Sequence, residues 1–544
     1  MLSMLFRNAA GCCAGLAMLC SCQSGQPETK RPNIIFIMTD DHTTRAMSCY
    51  DTSLIRTPNL DRLAREGMLF RNCFVTNAVC GPSRATILTG KYNHINGLTD
   101  NAKTFDSSQV IYPQLLHQAG YQTAMIGKWH LGSLPVGFDY YSILPNQGEY
   151  YQPDFIENGD TIREQGYVTD VITDKAIRFL EHRDKQKPYL MIYQHKAPHR
   201  NWMPAVRHLG MYDSTTFPEP PNLLDDFNSR SRASKEQLMN ISTDMWNAWD
   251  LKIAAADTLR SMEQKPVRRT FKDSKGDDYK QANNKEEDLH RFFQVYNRLT
   301  PAEKEQWNKA YAGRVAEYNR LQPKGADLVR WKYQQYMRDY LSCVKAVDEN
   351  VGRLLQYLEQ TGELDNTIIV YTSDQGFFLG EHGFFDKRMM YEECYRMPLL
   401  VRYPPGIRPG SSSDAFAMNV DFAPTLLDYA GVRIPKDMQG KSLRPILDHN
   451  GQAPAGWRTA TYYHYYEYPS WHMVKRHYGI RTARYKLIHF YNDIDEWELY
   501  DLQQDPHEMK NQYGNAAYAK VTDSLKQQLL TLQQQYKDTN PTER

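Results

Sequence analysis

The sequence predicts an α/β fold: a large, mostly parallel β-sheet flanked by helices, followed by a smaller C-terminal α+β domain with an antiparallel sheet. Short apolar runs without alternation are typical of strands that are buried on both faces. Stretches with helical periodicity separate these runs, and such alternation is typical of a parallel sheet. Beyond about residue 450 the sequence changes to tyrosine-rich alternating runs, the pattern of antiparallel strands.

The elements of the parallel sheet follow from these patterns. We predict buried strands at residues 33–38, 121–126, 189–193 and 367–372. We predict helices at residues 57–65, 169–183 and 332–359. In the last helix, valines and leucines recur at helical spacing from Val344 to Leu358, and Gly362 lies where a C-cap belongs.

A polar segment interrupts this pattern at about residues 204–322. It carries charge clusters at 272–280 and 283–288 and has weaker helical periodicity, so we predict a mostly helical insertion over the scaffold. In the C-terminal domain we predict antiparallel strands within 459–468 and 478–490 and an amphipathic, glutamine-rich helix at 518–536. The predicted organisation is a main domain at 31–449, which carries the insertion, and a C-terminal subdomain at 450–544.

The first residues are typical of an export signal. Arg7 precedes an apolar stretch at 9–19 that is too short to span a bilayer permanently. The run Leu19-Cys20-Ser21-Cys22 resembles a bacterial lipobox, with Cys22 as the site of lipid attachment and a polar linker at 22–30. We expect a lipoprotein-type signal peptide at 1–21 and a periplasmic protein of a Gram-negative bacterium, held at the membrane by its lipid anchor alone. The alternative is cleavage near Ser21 and a soluble periplasmic product.

Composition excludes several classes of protein. The 544 residues carry 65 Lys and Arg against 64 Asp and Glu, a net charge of +1 that lacks the basic excess needed to bind nucleic acid. Hydrophobic residues make up 41%, which is ordinary for a globular protein. The nine cysteines cannot form a disulfide scaffold, and no CxxC pair suits zinc. At most one or two bridges are possible among Cys49, Cys73, Cys343 and Cys394, and their pairing stays open.

Polar, reactive residues follow each of the four predicted strands. The sets are Asp40-Asp41-His42, Gly127-Lys128-Trp129-His130, His195 to His199, and Asp374-Gln375-Gly376. Ligands of an open α/β sheet bind outside the carboxyl ends of the strands, so these sets can meet in one pocket. A single pair of aspartates in such a place is more often turn chemistry or a helix cap, but four sets together favour a site.

The residue types in these sets indicate a metal and an anion. Asp40, Asp41, Asp374 and Gln375 offer oxygen ligands, which suit a hard cation such as calcium or magnesium rather than zinc or copper. Cationic donors would line the same cleft, so the bound ligand should be anionic, with tetrahedral oxyanions as natural candidates. These donors are Lys128, His130, His199 and Lys387.

The segment 79–90 supplies a further reactive group. Pro82 fits the first turn of a helix and Gly90 fits its C-cap, so Cys80 is predicted at the helix N-terminus. A thiol there is expected to have a depressed pKa; the alternative is a small buried cysteine. Cysteine phosphatases need Cys and Arg six residues apart, whereas Arg84 is four residues after Cys80. A papain-like site would leave the acidic cluster unexplained.

The sequence resembles one family at these residues. Cys80-Gly81-Pro82-Ser83-Arg84 matches the CxPSR signature of the type I sulfatases, a branch of the alkaline phosphatase superfamily, and the match continues to Thr89-Gly90-Lys91. The resemblance extends to Asp40-Asp41, Gly127-Lys128-Trp129-His130, Pro198-His199 and the run from Ser373 to Gly383. It implies an alkaline phosphatase-like fold and a sulfuric ester hydrolase.

The resemblance also implies how the reaction proceeds. Cys80 would be oxidised by a formylglycine-generating maturation enzyme, and the hydrated aldehyde would supply the hydroxyl that attacks sulfur and a second hydroxyl that helps expel sulfate. Arg84 and Lys128 would hold the hydrate and the sulfate oxygens, and His130 would serve as base in the elimination. His199 and Lys387 would contact the sulfate and protonate the leaving oxygen.

Calcium is the metal that the resemblance implies, with magnesium as the alternative. Its ligands would be Asp40, Asp41, Asp374, Gln375 and the modified Cys80. Many relatives carry Asn or His where Gln375 stands, a mild departure that keeps an oxygen ligand. His42 and His195 are expected to be packing or supporting residues.

The substrate is inferred from two further segments. Residues 384–393 and 471–478 resemble bacterial exo-acting sulfatases of glycosaminoglycan sugars, most closely the N-acetylglucosamine-6-sulfatases. The expected partner is therefore a sulfated glycan. Asp386 and Arg388 flank Lys387 and could contact the sugar hydroxyls beside the sulfate, with His472 reaching in from the C-terminal domain. The alternative is that these residues form surface ion pairs.

Other activities stay open at this point. An iduronate 2-sulfatase, a sulfamidase or another glycan or aryl sulfatase would share the same core residues. A phosphodiesterase or phosphonate hydrolase of the superfamily more often has Thr or Ser as the nucleophile and two metals with several histidine ligands. A non-catalytic glycan-binding lipoprotein would need no convertible cysteine.

Overall fold

A sheet of ten strands lies at the centre of the protein, for which a computed structural model describes residues 31–254, 269–272, 278–281 and 285–543. The predicted signal peptide at 1–21, Cys22 and the linker at 22–30 lie outside the described residues, as does part of the charged segment at 272–288. Among the helices that are described, none is long and apolar enough to cross a bilayer.

The strands and helices are numbered in chain order. The strands are β1 (Asn33–Thr39), β2 (Met68–Phe70), β3 (Cys73–Phe74), β4 (Gln122–Lys128), β5 (Tyr140–Leu144), β6 (Asp154–Glu157), β7 (Asp160–Arg163), β8 (Tyr189–Gln194), β9 (Arg269–Lys272), β10 (Asp278–Gln281), β11 (Thr367–Ser373), β12 (Phe378–Leu379), β13 (Phe385–Asp386), β14 (Arg396–Met397), β15 (Leu399–Arg402), β16 (Ser411–Ser413), β17 (Ala417–Met418), β18 (Ala460–Tyr465), β19 (His477–Thr482), β20 (Tyr485–Phe490) and β21 (Glu496–Asp501). The helices are α1 (Pro58–Glu66), α2 (Cys80–Thr89), α3 (Asn93–Asn96), α4 (Tyr112–Gln118), α5 (Val168–His182), α6 (Ala233–Glu236), α7 (Lys285–Tyr296), α8 (Pro301–Leu321), α9 (Gly325–Gln360), α10 (Glu392–Tyr395), α11 (Phe422–Tyr429), α12 (Arg444–Leu447) and α13 (Ala519–Tyr536).

The central sheet has the strand order β16-β2-β15-β11-β1-β8-β4-β5-β6-β7. Its middle strands, β11, β1, β8, β4 and β5, are parallel to one another, whereas β15, β6 and β7 pair antiparallel at the two sides. The predicted mostly parallel sheet is therefore confirmed. All four predicted strands lie within this parallel middle.

The alternating side chains of β1 divide the apolar core into two layers. Ile34 and Phe36 pack on one face of the sheet with residues of α2, α4 and α11, whereas Ile35 and Ile37 pack on the other with residues of α1, α5 and α9. Burying such side chains stabilises the fold by roughly 1.5–3 kcal/mol each. The sheet is thus covered by helices on both faces, which explains why its strands are apolar without alternation.

The C-terminal part of the chain forms the predicted antiparallel sheet, with the strand order β18-β19-β20-β21. The predicted strand at 478–490 is two strands, β19 and β20, because the chain turns at 483–484, and β21 was not predicted. Helix α13 matches the predicted C-terminal helix and packs through Leu525 and Leu529 on the same core as α2. The C-terminal sheet therefore shares its apolar core with one face of the main sheet.

The prediction of a mostly helical insertion at 204–322 is wrong for its first half. Residues 204–254 are mainly turns and extended chain, with a 3-10 turn at Val206–His208 and the short α6. Side-chain contacts with backbone carbonyls hold this chain in place: Lys252 Nζ donates to the carbonyls of Asn201 and Trp202 at 2.7 and 3.0 Å. The second half contains α7 and α8, as expected.

The thiols that the structure describes are unpaired. Cys49, Cys73, Cys80, Cys343 and Cys394 are all free, so the question of pairing within the body of the chain is answered for these residues.

Gly127, one residue before the end of β4, allows β4 and β8 to approach closely. Its φ is +102°, and a Cβ atom built on it would lie 1.9 Å from the carbonyl oxygen of Gln194. Only glycine tolerates both this positive φ and this close contact, so Gly127 fixes how the end of β4, with Lys128, lies against β8.

We expect Gly127→Ala to lower the unfolding temperature much more than Gly120→Ala. Gly120 has a similar φ of +91°, but nothing lies within 4 Å of a Cβ built there. Gly120→Ala should therefore cost only the backbone strain, about 1–2 kcal/mol, whereas Gly127→Ala adds a collision between backbones. Thermal unfolding followed by circular dichroism measures both; equal shifts would show that close strand approach at Gly127 is unimportant.

Candidate active site

The four predicted sets of polar residues meet at the carboxyl edge of the central sheet. Thr39 of β1 lies beside Ser373 of β11, and Gly127 of β4 lies beside Gln194 of β8, so the strands end at the same level. Helix α2 points its first turn at this edge: it begins at Cys80 and ends at Gly90, whose φ of 64° is left-handed. The sequence therefore brings reactive residues from four strands and one helix N-terminus into one pocket.

Three carboxylates form the floor of the pocket. Asp40, Asp41 and Asp374 are fully buried, and carboxylate oxygens from the three lie within 4.8 Å of one another. The backbone N–H of Asp41 donates to Asp374 Oδ1 at 3.3 Å. Gln375 Nε2 donates to Asp41 Oδ1 at 2.6 Å, and Gln375 Oε1 is buried and has no hydrogen-bond partner among the described residues.

This donor set fits a hard divalent cation. A buried amide oxygen without a partner costs free energy, and binding to a cation would remove that cost. Carboxylate and amide oxygens are the ligands that calcium and magnesium prefer. A second group of potential ligands, Asp40, Cys80 and His199, shares Asp40 with the first, so the two groups described outline a single centre.

Arg84 lies between two of the carboxylates. Its Nη2 atom is 2.9 Å from Asp374 Oδ2 and 3.3 Å from Asp40 Oδ2. Its Nη1 atom donates to the carbonyl of Lys128 at 2.6 Å and to Gln194 Oε1 at 2.7 Å. The guanidinium is 2% exposed, so it is a fixed part of the wall that joins α2 to β4 and β8.

Two lysines complete the balance of charge. Lys128 Nζ contacts Asp40 Oδ2, and Lys387 Nζ donates to both oxygens of Asp41 at 2.6 and 2.8 Å. Burial would raise the pKa of Asp40, but Lys128 and other cations outweigh it and hold this pKa well below its usual range. For Asp41, burial and the neighbouring carboxylates prevail over Lys387 and raise the pKa. Because three cations already balance three carboxylates, a divalent cation would make the centre positive and suited to an anion.

The thiol of Cys80 does not have the depressed pKa that its place at a helix N-terminus predicts. Cys80 Sγ lies 3.4 Å from Asp40 Oδ1 and is 1% exposed. Burial, followed by the charge of Asp40, raises the pKa of this thiol well above its usual range. These effects outweigh the favourable field of the helix, so an unmodified Cys80 would be a weak nucleophile.

Two histidines face the same space. His199 Nε2 lies 3.8 Å from Asp41 Oδ2, and His199 Nδ1 is 2.7 Å from the carbonyl oxygen of Arg200. Because a carbonyl only accepts, Nδ1 carries the proton and Nε2 is the nitrogen that faces the carboxylates. Burial, followed by the charge of Lys128, lowers the pKa of both His130 and His199 well below its usual range, so both imidazoles are neutral at neutral pH.

His42 and His195 lie outside this pocket wall. His42 has both ring nitrogens in hydrogen bonds, Nδ1 with the Tyr371 hydroxyl at 2.7 Å and Nε2 with the Ala46 carbonyl at 3.0 Å. The ring of His195 packs against Tyr193, with ring centroids 4.5 Å apart. Both positions fit a packing role.

The three residues predicted to contact the sugar lie together in a second polar cluster. Asp386 Oδ2 is 3.2 Å from His472 Nε2, and Asp386 also contacts Arg388. Arg388 Nε lies 3.5 Å from Glu467 Oε2. Asp386, Arg388 and His472 are 4%, 7% and 3% exposed, so the alternative of surface ion pairs is wrong. Lys387, between Asp386 and Arg388, points the other way to Asp41, and this segment therefore joins the two clusters.

Several residues at the pocket were not predicted. Gln147 bridges Lys128 and His130, Glu467 reaches the second polar cluster from the C-terminal domain, and the Tyr463 hydroxyl donates to the carbonyl of Arg388 at 2.5 Å. Gln147 could have been found, because it follows β5, a parallel neighbour of β4. Glu467 and Tyr463 carry no local signal, since only the packing of the C-terminal sheet brings them here.

Known proteins resemble the chain along nearly its whole length. A family model described as Sulfatase matches residues 32–432, and one described as N-sulphoglucosamine sulphohydrolase, C-terminal, matches residues 380–535. An N-acetylglucosamine-6-O-sulfatase of Bacteroides thetaiotaomicron is 59% identical over 530 residues, which cover 97% of this chain and 90% of that protein. A human N-acetylglucosamine-6-sulfatase is 28% identical over 459 residues, which cover 79% of this chain and 66% of that protein.

A solved structure agrees with these sequence similarities. A protein determined in complex with its substrate, D-glucosamine-2-N,6-O-disulfate, is 59% identical to this chain and superposes with a TM-score of 0.89, covering 95% of this chain and 100% of that one.

We expect calcium to raise the unfolding temperature of metal-depleted protein, and Asp374→Asn to remove most of that rise. A ligand that binds only the folded state adds about 2.7 kcal/mol at a concentration 100 times its Kd. The matched control is Asp327→Asn, because the Asp327 side chain is 87% exposed. Differential scanning fluorimetry with and without calcium, and in parallel with magnesium, measures the shift. An equal rise in all three proteins would exclude this cluster as the metal site.

Proposed function

Since this chain belongs to the sulfatase family and is a sulfuric ester hydrolase, we propose that it removes the 6-O-sulfate from glucosamine sugars of sulfated glycosaminoglycans. One observation carries the proposal: a pocket whose carboxylates could hold a cation, with Cys80 at its wall, adjoins a buried polar cluster of Asp386, Arg388 and His472. The similar protein of Bacteroides thetaiotaomicron is named for N-acetylglucosamine-6-O-sulfate, and the similar solved structure holds a 6-O-sulfated glucosamine.

The sulfate group would bind among the cations of the first cluster. Lys128 and Lys387 each bring a buried ammonium group to the pocket, and Arg84 fixes the carboxylates behind them. A sulfate ester carries one negative charge on oxygens that accept such hydrogen bonds well. The arrangement therefore favours an anion with several oxygens over a neutral ester.

A modified residue, formylglycine, and a bound metal cation would complete the site. Formylglycine, made from Cys80 by a maturation enzyme, would supply a hydroxyl nucleophile that the high-pKa thiol cannot replace. A cation held by Asp40, Asp41, Asp374 and Gln375, calcium by resemblance, would draw electron density from the sulfate oxygens when bound.

His199, Lys387 and His130 would handle protons. The carbonyl of Arg200 holds the proton of neutral His199 at Nδ1, so Nε2, the atom that would face the ester, must first take up a second proton before His199 can pass one to the leaving oxygen. The ammonium of Lys387 is the donor on that side that already carries its protons. His130 is neutral and can accept a proton. These are the roles that the family resemblance gives them.

The second cluster would recognise the sugar. A carboxylate beside a guanidinium and an imidazole offers both acceptors and donors to neighbouring hydroxyl groups, and burial makes each unpaired group costly. Because Asp386 already pairs with Arg388 and His472, a sugar hydroxyl that binds here must replace one of these contacts, and a ligand without a matching hydroxyl cannot make that exchange. This supports recognition of one sulfated sugar unit, in keeping with an exo-acting enzyme.

The superfamily alternatives are less well supported. Phosphodiesterases and phosphonate hydrolases more often use two metals with several histidine ligands, whereas the two ligand groups found in the described residues share Asp40 and include one histidine, His199.

We also propose export as a periplasmic lipoprotein anchored through Cys22, supported by the lipobox-like run alone. Peptide mass analysis of Cys80 and Cys22 tests both modifications.

We expect Cys80→Ala to abolish sulfate release from 6-O-sulfated N-acetylglucosamine while the protein still binds that sugar. Loss of an attacking nucleophile costs roughly 10⁴-fold or more in kcat. Cys49→Ala, which removes another free thiol, is the control and should keep full activity. Sulfate release is followed by ion chromatography and binding by calorimetry. Unchanged turnover in Cys80→Ala would refute the proposed nucleophile.

We expect His472→Ala to lower kcat/KM for 6-O-sulfated N-acetylglucosamine roughly 10- to 100-fold, because a hydrogen bond to a charged group contributes about 1.5–3 kcal/mol. Turnover of a small aryl sulfate, which lacks the sugar hydroxyls, should change little. The wild-type protein should not release sulfate from 3-O-sulfated or N-sulfated glucosamine or from 2-O-sulfated iduronate. Preference for another sugar of this panel would keep the sulfatase activity and refute the assigned position.

A further inference from the structure

Gln147 lies in a tight turn directly after β5, at the carboxyl edge of the sheet. The backbone N–H of Gly148 donates to the Pro145 carbonyl at 2.8 Å, and Gly148 has a left-handed φ of 66°. Lys196 Nζ donates to the carbonyl of Gln147 at 3.2 Å and lies 4.9 Å from the centre of the Tyr150 ring. The turn is therefore fixed from two sides, and so is the direction in which the Gln147 side chain extends.

The amide of Gln147 has one possible orientation. Lys128 Nζ lies 2.5 Å from the side-chain amide oxygen of Gln147, Oε1, and an ammonium group can only donate hydrogen bonds. The amide oxygen must therefore face Lys128. The amide nitrogen then faces His130, with 3.1 Å between Gln147 Nε2 and His130 Nε2.

This orientation fixes the tautomer of His130. The amide nitrogen of Gln147 only donates, so His130 Nε2 must accept and must carry a lone pair. The ring proton is then on Nδ1, a buried atom with no hydrogen-bond partner in the described residues. A proton on His130 Nε2 would place two donors, the N–H of His130 and the N–H of Gln147, opposite each other with no acceptor between them. Burial and the charges of Lys128 and Arg84 also disfavour a positive imidazole.

We propose that Gln147 is a positioning residue of the sulfatase reaction: through its contacts with Lys128 and His130 it holds His130 as the neutral Nδ1–H tautomer. The lone pair of Nε2 is then directed at the Gln147 N–H, and this hydrogen bond opens when Nε2 takes up a proton in the reaction. A base whose tautomer is fixed by a neighbouring side chain already carries its lone pair on the correct nitrogen before it acts. This inference rests on the proposed function, in which His130 is the base.

Two variants separate this role from simple support of Lys128. Gln147→Glu keeps an oxygen for Lys128 but has no N–H to donate to His130, and Gln147→Met offers neither. We expect both to lower kcat roughly 10- to 100-fold, as loss of an orienting partner does, with KM changed by less than about 3-fold. Asn146→Gly is the control in the same turn: Asn146 is exposed with φ 50°, and glycine keeps that backbone. It should retain parental activity.

The tautomer itself can be measured by nitrogen NMR of protein labelled in histidine with ¹⁵N. The signals of His130 are those missing from His130→Gln. We expect a protonated Nδ1 and an unprotonated Nε2 in the parent and in Asn146→Gly, and a proton on Nε2 in Gln147→Glu, where the carboxylate accepts it.

The outcomes distinguish the inference from the function on which it rests. Full activity of Gln147→Glu, or a parental His130 with its proton on Nε2, would overturn the role of Gln147 while leaving the sulfatase activity intact. Absence of sulfate release by parental protein with converted Cys80 would instead refute the proposed substrate. Equal unfolding temperatures of parent and variants would show that the loss of kcat is not a loss of folding.

Discussion

The burial of three carboxylates at one point is the constraint on which the rest of the site depends. Asp40, Asp41 and Asp374 cannot be held together in the interior unless positive groups surround them, because each uncompensated buried charge costs several kcal/mol. The compensating groups are Arg84, Lys128 and Lys387. These come from α2, from the end of β4 and from the chain after β13. The charge balance therefore requires elements that are distant in sequence to meet at the same edge of the sheet.

The architecture meets that requirement by sharing one apolar core. Helix α2, the main sheet and the C-terminal sheet contribute to the same hydrophobic cluster, so the positions of Cys80 and of the C-terminal residues are coupled. His472 and Glu467 can then approach Asp386 and Arg388 without a separate interface having to form. The carboxylate centre is built by the main sheet, and the second polar cluster is built where the C-terminal domain covers it.

The sequence predicted those parts of the fold that depend on local patterns. The central strands are buried on both faces and so are apolar throughout, and the acidic and basic sets after them are adjacent in sequence to those strands. The loop at 204–254 could not be predicted as such, because it is held by contacts such as Lys252 with distant carbonyls rather than by periodicity. The pKa of Cys80 was expected to fall at a helix N-terminus, but burial and Asp40, which only the tertiary structure reveals, raise it. Gln147 was missed since β5, with its tyrosines and Ser142, lacks the apolar run of the other strands.

The near-complete burial of Cys80 restricts when this residue could be modified relative to the folding of the chain. The residue is 1% exposed, it opens a helix whose residues are all buried, and Asp40 lies against its sulfur atom. An enzyme that converts Cys80 to formylglycine, as proposed above, would need access to this side chain, and the packed helix does not give it. The conversion would therefore have to precede the docking of α2, and a molecule that folded first would keep an inactive thiol.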